Sequence, residues 1–262
     1  MPGSSERDRQ HEVMRLLEEA GRVSVPDLAG RFGVSLVTVR KDLERLERRR
    51  LLHRVRGGAV PAPTPDEGAF EIRLHLNTPE KIAVAREAAR MVRDGDAIAV
   101  DGSTTCYYLI KELLKLNRRG LVVVTNGLPA AEALAESDAT VVMPGGTLRR
   151  SSWALVGDMG ATLAGRGRLT YGFFGLRALS PELGLLDLSP EETAVKRRLV
   201  SISAAVYGLF DNSKVGRFAL HPFVETAGIT GLITDDGTPD EEVVAWKAAG
   251  VPVQRVPVES RR

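Results

Sequence analysis

The chain has 262 residues, of which 43% are hydrophobic, and its formal net charge is only +2. This length suits two domains with a sizeable buried core, and the charge excludes a uniformly polycationic protein. The single cysteine, Cys106, excludes an internal disulfide and fits a reducing cytoplasm. No apolar run of about eighteen residues and no signal-peptide core is present, so we expect a cytoplasmic protein without a membrane span. The four histidines are scattered, and no metal is expected.

Three helices are predicted near the start of the chain. Residues 6–20 predict an amphipathic helix, and Pro26 suits the first turn of a second helix that ends near Gly33. Ser35 is a plausible N-cap for a third helix. One face of this third helix is apolar, with Leu36, Val39, Leu43 and Leu46 at helical spacing. The opposite face and its flank carry Val37, Thr38, Arg40, Lys41, Arg45 and Arg48.

Between Leu52 and Val60 the helical spacing of apolar residues gives way to a rough alternation, which predicts a small hairpin that turns at Gly57–Gly58. Residues 36–60 hold eight Lys or Arg against three Asp or Glu, a local charge of +5, so the rest of the chain sums to −3. A basic helix followed by a basic hairpin is typical of a winged helix-turn-helix. The alternative is a solvated basic surface helix. The candidate DNA-binding residues are Ser35, Val37, Thr38, Arg40, Lys41, Arg45, Arg54 and Arg56.

Three prolines, Pro61, Pro63 and Pro65, predict a semi-rigid linker. We therefore expect a winged helix-turn-helix in residues 1–60, a linker in 61–67 and a second domain in 68–262. In the second domain short apolar segments alternate with helical patterns, which favours an α/β fold with a mostly parallel sheet. Strands are predicted at 97–100, 121–125, 141–143, 171–174, 206–210, 231–234 and 251–256, and a helix at about 190–204.

Ligands of such sheets bind at the carboxyl ends of the strands, where this sequence places polar or glycine-rich loops. The loop Gly102–Thr105 offers backbone N–H groups and three hydroxyls ahead of a helix, an arrangement that suits a phosphate. It is neither a dinucleotide fingerprint nor a P-loop. An ordinary strand-to-helix turn is the alternative. The other strand-end loops contain Asn126, Gly145, Gly146, Gly175 and residues 211–214.

Several short motifs together resemble the DeoR family of bacterial transcriptional regulators. The DNA-binding part of the match is Val34–Ser35, Thr38–Leu43 and the wing Arg56–Ala59. The remainder of the match comprises Lys81–Ala83, Asp101–Thr105, Val124–Asn126, Gly145–Thr147, Phe174–Gly175, Glu192, Val195–Arg197 and Asp211–Lys214. The resemblance spans nearly the whole chain.

The resemblance implies that residues 68–262 have a fold similar to ribose-5-phosphate isomerase and bind a phosphorylated sugar or sugar-like effector. It also implies that the phosphate is bound by Gly102, Ser103, Thr104 and Thr105. The remaining candidate effector-binding residues are Asp101, Asn126, Gly145, Gly146, Glu192, Lys196, Asp211 and Lys214. Lys196 and Lys214 suit an anion because a phosphate or carboxylate needs a cationic partner. No cofactor is expected.

The chain departs from the family pattern in three places. The phosphate loop reads Asp-Gly-Ser-Thr-Thr where many members have Ser-Gly-Thr-Thr after the Asp. The third helix has Lys41 where arginine is frequent, which changes a bidentate contact into a point contact. Arg177 and the pair Arg149–Arg150 add positive charge near the predicted loops, which favours a more acidic effector.

Our leading hypothesis is a DNA-binding repressor of carbohydrate metabolism, controlled by a phosphorylated sugar, that binds a double-stranded operator as a dimer or tetramer assembled through residues 68–262. It is not expected to be an enzyme. A sugar-phosphate isomerase with an appended DNA-binding module is the alternative, with Glu192 or Asp211 as the base. The acidic loop of such isomerases is missing after Phe174–Gly175. A third hypothesis, a nucleoid-type binder without a small ligand, predicts no polar pocket.

Overall fold

The computed structural model describes residues 9–10, 12–14, 16–17, 22–48, 52–61, 70–157 and 168–259. The chain divides into two compact units, Met1–Leu76 and Asn77–Arg262. Apart from Pro61, the predicted linker 61–67 lies outside the described residues, as do parts of the predicted first helix. The described positions of that helix, between residues 9 and 17, are all helical.

The first unit contains three helices with defined bounds and a three-stranded sheet of order β1-β3-β2. In chain order these elements are β1 (Val23–Ser24), α1 (Val25–Phe32), α2 (Leu36–Arg48), β2 (Leu52–Val55), β3 (Gly58–Pro61) and α3 (Phe70–His75). Their apolar faces enclose one core, which includes Val13, Leu17, Leu28, Val39, Leu43, Leu46, Leu52 and Ala59. This arrangement is the predicted helix-turn-helix with a wing.

Local hydrogen bonds explain why α1 and α2 begin and end where they do. Ser24 accepts a hydrogen bond from Asp27 N at 3.2 Å, and the N–H of Gly33 closes α1 on a carbonyl of its last turn. Ser35 Oγ accepts one from Thr38 N at 3.1 Å, which confirms the predicted N-cap of α2. The turn Gly33–Val34 therefore sets the angle between the two helices.

Two details of this unit differ from the prediction, and one buried residue, Asp42, was not predicted. Leu36, predicted in the apolar stripe, is 45% exposed, because side chains lean toward the helix N-terminus and Leu36 precedes every other residue of α2. Asp42 lies on the buried face instead, where Arg9 Nε donates to its Oδ2 at 2.9 Å. The wing turns at Arg56–Gly57, one residue before the predicted turn, since Val55 pairs with Gly58.

The second unit is built around a seven-stranded sheet of order β15-β14-β12-β9-β4-β5-β6, in which every pair of neighbours is parallel. The strands are β4 (Ala97–Val100), β5 (Val122–Thr125), β6 (Thr140–Val142), β9 (Leu169–Gly175), β12 (Ser203–Leu209), β14 (Gly231–Asp235) and β15 (Val253–Val256). The helices are α4 (Thr78–Met91), α5 (Thr104–Leu116), α6 (Leu128–Leu134), α7 (Pro190–Ser201) and α8 (Asp240–Ala248).

Two apolar clusters cover the two faces of this sheet, one centred on Ile98, Leu109 and Phe173 and the other on Phe174, Leu199 and Trp246. The predicted parallel α/β fold is therefore confirmed. The helix predicted at about 190–204 ends at Ser201, because Ser203 already pairs with Leu169 of β9. Among the described residues no helix is long and apolar enough to cross a membrane.

Two smaller sheets were not predicted. A hairpin is formed by β7 (Thr147–Arg149) and β8 (Ala154–Val156). An antiparallel sheet of order β10-β11-β13 is formed by β10 (Ala178–Ser180), β11 (Gly184–Asp187) and β13 (His221–Val224). Both are inserted between elements of the parallel sheet, and both supply residues close to the strand ends described next.

Candidate functional site

Four adjacent strands of the parallel sheet, in the order β12-β9-β4-β5, have polar or glycine residues at or just beyond their carboxyl ends. Asp211, Gly175, Asp101 and Asn126 lie at or just beyond these carboxyl ends, and all four are buried. Because parallel strands end at one edge of a sheet, the four positions border one region. This edge is the candidate effector site.

Lys196 of α7 contacts residues from three other elements at this edge. Its Nζ lies 2.9 Å from Asp101 Oδ2 and 2.6 Å from Asp187 Oδ2, and it donates to Gly175 O at 2.8 Å. Burial alone lowers the pKa of Lys196, but the carboxylates of Asp101 and Asp187 outweigh this effect and raise the pKa above its usual value. The ammonium is therefore charged and already coordinated by protein oxygens, so its clearest role is to orient Asp101.

The predicted phosphate loop is the N-terminus of α5. Asp101 Oδ1 accepts a hydrogen bond from Ser103 N at 3.0 Å, and Ser103 Oγ caps the helix by accepting one from Cys106 N at 3.2 Å. Thr104 and Thr105 in the first turn are only 4% and 6% exposed. A side chain at Gly102 would bring its Cβ to 2.7 Å from that of Ala154, so the loop needs a glycine here.

Asp211 is the centre of a second polar cluster at the end of β12. It accepts hydrogen bonds from Asn77 Nδ2 at 2.8 Å and from both the backbone and the hydroxyl of Ser213. Burial raises the pKa of this carboxyl, but the charges of Lys214 and Lys81 and these hydrogen bonds outweigh it, so the pKa is lowered. Two cations therefore accompany one carboxylate at this end of the site.

Lys81 was not among the predicted site residues, although it is only 3% exposed. A lysine on the inner face of α4, among Val84, Ala85 and Ala88, breaks the apolar pattern of that helix. Lysine is rarely buried without a polar environment, so this break was the signal that could have found it.

The hairpin β7–β8 packs beside Asn126. The side-chain Nδ2 of Asn126 donates to Leu155 O at 3.0 Å and its backbone carbonyl accepts from Leu155 N at 2.7 Å, so both the side chain and the backbone of Asn126 hold the hairpin. The Oδ1 atom of Asn126 is buried without a hydrogen-bond partner among the described residues. Arg149, at the end of β7, places Nη1 3.4 Å from Glu192 Oε1 in the first turn of α7. Gly145 and Gly146, predicted to line the site, are exposed just before the hairpin.

The predicted DNA-binding residues lie on α2 and on the hairpin that follows it. Arg40 and Lys41 are exposed on α2, together with Ser35, Val37 and Arg45, whereas Thr38 is half-buried. On the hairpin, Arg56 is exposed at the turn. Arg54 Nη1 lies 3.8 Å from Glu47 Oε2 on α2, so this arginine is partly neutralised.

Comparison with protein families gives two matches. Residues 76–236 match the model of the DeoR C terminal sensor domain, and residues 9–63 match that of the DeoR-like helix-turn-helix domain. Each match covers most of one compact unit.

Curated relatives match over nearly the whole chain. A putative aga operon transcriptional repressor from Escherichia coli O157:H7 is 32% identical over 96% of this chain and 93% of that protein. The HTH-type transcriptional regulator GolR from Listeria innocua is 32% identical over 94% of this chain and 97% of that protein. The glycerol-3-phosphate regulon repressor of Escherichia coli K12 is 28% identical over 88% of this chain and 91% of that protein.

Among solved structures, ribose 5 phosphate isomerase A from Neisseria gonorrhoeae aligns with 52% of each chain at 18% identity, with a TM-score of 0.40.

Proposed function

Since this chain belongs to the DeoR family of DNA-binding transcriptional regulators, we propose that it represses genes of carbohydrate metabolism until a phosphorylated sugar binds at the strand ends of its second unit. The chain is a regulator rather than an enzyme, as are the relatives that it matches over most of their length. Two of these relatives are named repressors, of an aga operon and of a glycerol-3-phosphate regulon.

The proposed DNA interface is the exposed face of α2 with the wing. The N-terminal end of such a helix enters the major groove, where Arg40 and Lys41 would contact bases or phosphates. Ser35, Val37, Thr38 and Arg45 would line the same face. Arg56 at the wing turn and Arg54 would contact the phosphate backbone. The observation that supports this interface is the exposure of these cations on the face of α2 opposite its buried stripe.

The proposed effector site combines the α5 N-terminus with the cluster around Asp211. The backbone N–H groups of Gly102, Thr104 and Thr105 and the hydroxyls of Ser103, Thr104 and Thr105 would bind the phosphate with Lys214 and the buried Lys81. Asp101, Asn126 and Glu192 would accept hydrogen bonds from sugar hydroxyls, while Lys196 and Asp211 hold their neighbours in place. Gly145 and Gly146 would let the chain turn into the hairpin. The single observation that carries the site is that Asp101, Gly175, Asn126 and Asp211 are buried at the carboxyl ends of four adjacent parallel strands.

We also propose that the effector and oligomerisation domain, predicted as residues 68–262 and compact from Asn77 onward, follows a winged helix-turn-helix in 1–60 and a linker in 61–67. One winged module offers a small DNA interface, and symmetric operators are read by symmetric dimers. A dimer or tetramer is therefore expected. Sedimentation of the full chain at micromolar concentration tests this assembly, and a monomer that still binds a two-fold operator cooperatively would contradict it.

A thermal-shift screen with phosphorylated sugars and polyols, followed by operator titrations, tests the sensor. A ligand at a hundred times its dissociation constant adds about 2.7 kcal/mol to the free energy of unfolding. The proposal requires that a stabilising ligand also changes operator affinity. A ligand that stabilises the protein but leaves the operator dissociation constant unchanged would contradict the sensor role and leave this unit with a role in oligomerisation only.

A further inference from the structure

The first turn of α2 exposes two large apolar side chains next to each other. Leu36 is 45% exposed and Val37 is 57% exposed. Among the described residues of the first unit, no other large apolar side chain is exposed to this degree. Adjacent apolar side chains rimmed by polar residues are typical of a surface that another molecule covers.

Val37 lies near the centre of the outward face of α2. At about 100° per residue, Arg40 and Lys41 follow it on the same face, three and four positions further along. Both cations are exposed, and the buried stripe of the helix lies on the opposite face. The apolar pair is therefore continuous with the cationic surface at the N-terminal end of α2.

The polar groups of this first turn serve the helix itself. Ser35 Oγ accepts a hydrogen bond from Thr38 N at 3.1 Å and lies 2.9 Å from Thr38 Oγ1. Because side chains lean toward the helix N-terminus, Leu36 and Val37 extend from the helix end beside these hydroxyls. Helix stability does not explain a valine here, since alanine has the higher helix propensity.

The partner of this face is double-stranded DNA, because residues 9–63 match the DeoR-like helix-turn-helix domain. The recognition helix of this motif places its N-terminal residues against base edges in the major groove. In that groove the C5-methyl group of thymine is the apolar group that apolar side chains contact. A G·C pair offers donors and acceptors without a methyl group, and apolar side chains would leave these polar atoms without partners.

We propose that Leu36 and Val37 contact thymine methyl groups, so that each operator half-site has a thymine where the first turn of α2 enters the major groove. The inference rests on the proposed DNA interface and names a base that this interface recognises. Loss of one methyl group from such a contact should lower affinity about fourfold, as expected for one buried carbon of apolar surface.

Deoxyuridine lacks only the methyl group of thymidine and therefore tests this contact directly. The probe is a duplex that the full-length protein selects from a library with a randomised centre, and its thymines are replaced one at a time by deoxyuridine. Fluorescence anisotropy gives the ratio of the dissociation constants of the deoxyuridine and thymine duplexes. With the wild type this ratio should be about four at one or more thymines of each half-site.

Leu36→Ala and Val37→Ala should each lower the affinity for the thymine duplex. In at least one of them the ratio at a sensitive thymine should fall below about two. Alanine is the better helix former, so thermal unfolding should show no loss of stability in either variant. Val244→Ala is the matched control, because Val244 is a 64% exposed valine on α8 of the second unit, and it should keep the ratio of the wild type.

Arg40→Ala provides a second comparison on α2 itself. It removes a charge but no apolar contact, so it should lower the affinity for both duplexes and leave their ratio at about four. A ratio that persists in both Leu36→Ala and Val37→Ala would place the deoxyuridine effect in the DNA alone and overturn the inference.

Failure of the inference and failure of the proposed interface give different results. If no deoxyuridine replacement changes the affinity by more than about twofold, while Arg40→Ala or Lys41→Ala weakens binding to the selected duplex, the inference is overturned and the interface stands. If the selection enriches no sequence, the proposed operator recognition fails, and the inference fails with it.

Discussion

Lys196 Nζ lies 2.9 Å from Asp101 Oδ2, although the two residues come from different elements, α7 and the end of β4. Asp187, at the end of β11, contacts the same ammonium at 2.6 Å. All three side chains are buried. Because a buried charge without a counter-ion is costly, the three residues depend on one another. These three residues therefore form a buried ionic cluster beside the proposed site.

The first prediction concerns this cluster. Lys196→Met should lower the free energy of unfolding by about 3–5 kcal/mol, since it leaves two buried carboxylates without their cation. Urea unfolding at neutral pH measures the effect. Lys111→Met is the control: it removes an exposed lysine from α5 and should change stability by about 0.5 kcal/mol at most. A loss below about 1 kcal/mol in Lys196→Met would contradict the ionic cluster.

The second prediction follows from the lowered pKa of Asp211. Burial raises this pKa, but the charges of Lys214 and Lys81 and the hydrogen bonds lower it by more. A carboxyl whose pKa is lower in the folded state stabilises the protein above its unfolded pKa of about 3.9. This stability is lost as the pH falls through the folded pKa. Wild type should therefore lose more stability between pH 6 and pH 3 than Asp211→Asn does.

Urea unfolding at intervals across this pH range gives the measurement. Asp236→Asn is the matched control, because Asp236 is an exposed carboxylate just beyond β14 and does not contact the cluster around Asp211. It should reproduce the acid dependence of the wild type. Equal acid slopes in the wild type and Asp211→Asn would show that Asp211 adds nothing to stability through its charge.

Features set by short-range chemistry were predictable from the sequence. The N-cap at Ser35 and the buried stripe of Val39, Leu43 and Leu46 follow from residue type and spacing, and the structure confirms them. The parallel sheet also follows, because short apolar strands alternate with helices. Leu36 was placed in the stripe wrongly, since periodicity alone does not show that the side chain of the first helical residue leans beyond the helix end.

The parts that were not predicted depend on contacts distant in sequence. Asp42 is buried because Arg9, 33 residues earlier, neutralises it. Lys81 is near Asp211 only because α4 packs against the parallel sheet, and spacing carries no such information. The hairpin β7–β8 has two three-residue strands, too short for alternation to be distinguished from a loop. Arg149 was predicted to add charge near the loops and Glu192 to bind the effector, but the contact between the two was not predicted.

The third prediction concerns DNA. Arg40→Ala and Lys41→Ala should each weaken operator binding by about 1–3 kcal/mol if the side chain reads a base. Arg48→Ala is the control, because Arg48 is exposed at the far end of α2, 3.4 Å from Glu44, and should have little effect. Fluorescence anisotropy with operator and scrambled duplexes measures both. Unchanged operator affinity in both test variants would show that Arg40 and Lys41 of α2 do not contribute to DNA binding.

The wing makes a separate prediction. Arg56→Ala should weaken binding to operator and scrambled duplexes alike, because a phosphate contact carries no sequence information. It should also lower the slope of log affinity against log salt by about 1. Titrations between low and moderate salt give this slope. A loss confined to the operator would assign Arg56 to base recognition instead.

The last prediction joins the two units through Lys214. A repressor responds to its effector only if the ligand binds the DNA-bound and DNA-free states with different affinity, because equal affinity shifts nothing. A coupling of about 1–3 kcal/mol would change operator affinity by roughly 5–150-fold. Lys214→Ala should abolish this response by removing a cation from the proposed phosphate contact, while operator binding without effector stays at the wild-type level.

Arg217→Ala is the matched control for Lys214→Ala. Arg217 is an exposed cation three residues further along the same loop, and its Nε donates to the backbone carbonyl of Ser213 rather than to the Asp211 carboxylate. Operator titrations with and without the strongest thermal-shift ligand should therefore show a normal response in Arg217→Ala and none in Lys214→Ala. An equal response in both variants would move the phosphate away from Lys214, and loss of effector-free DNA binding in Lys214→Ala would assign Lys214 to assembly rather than to sensing.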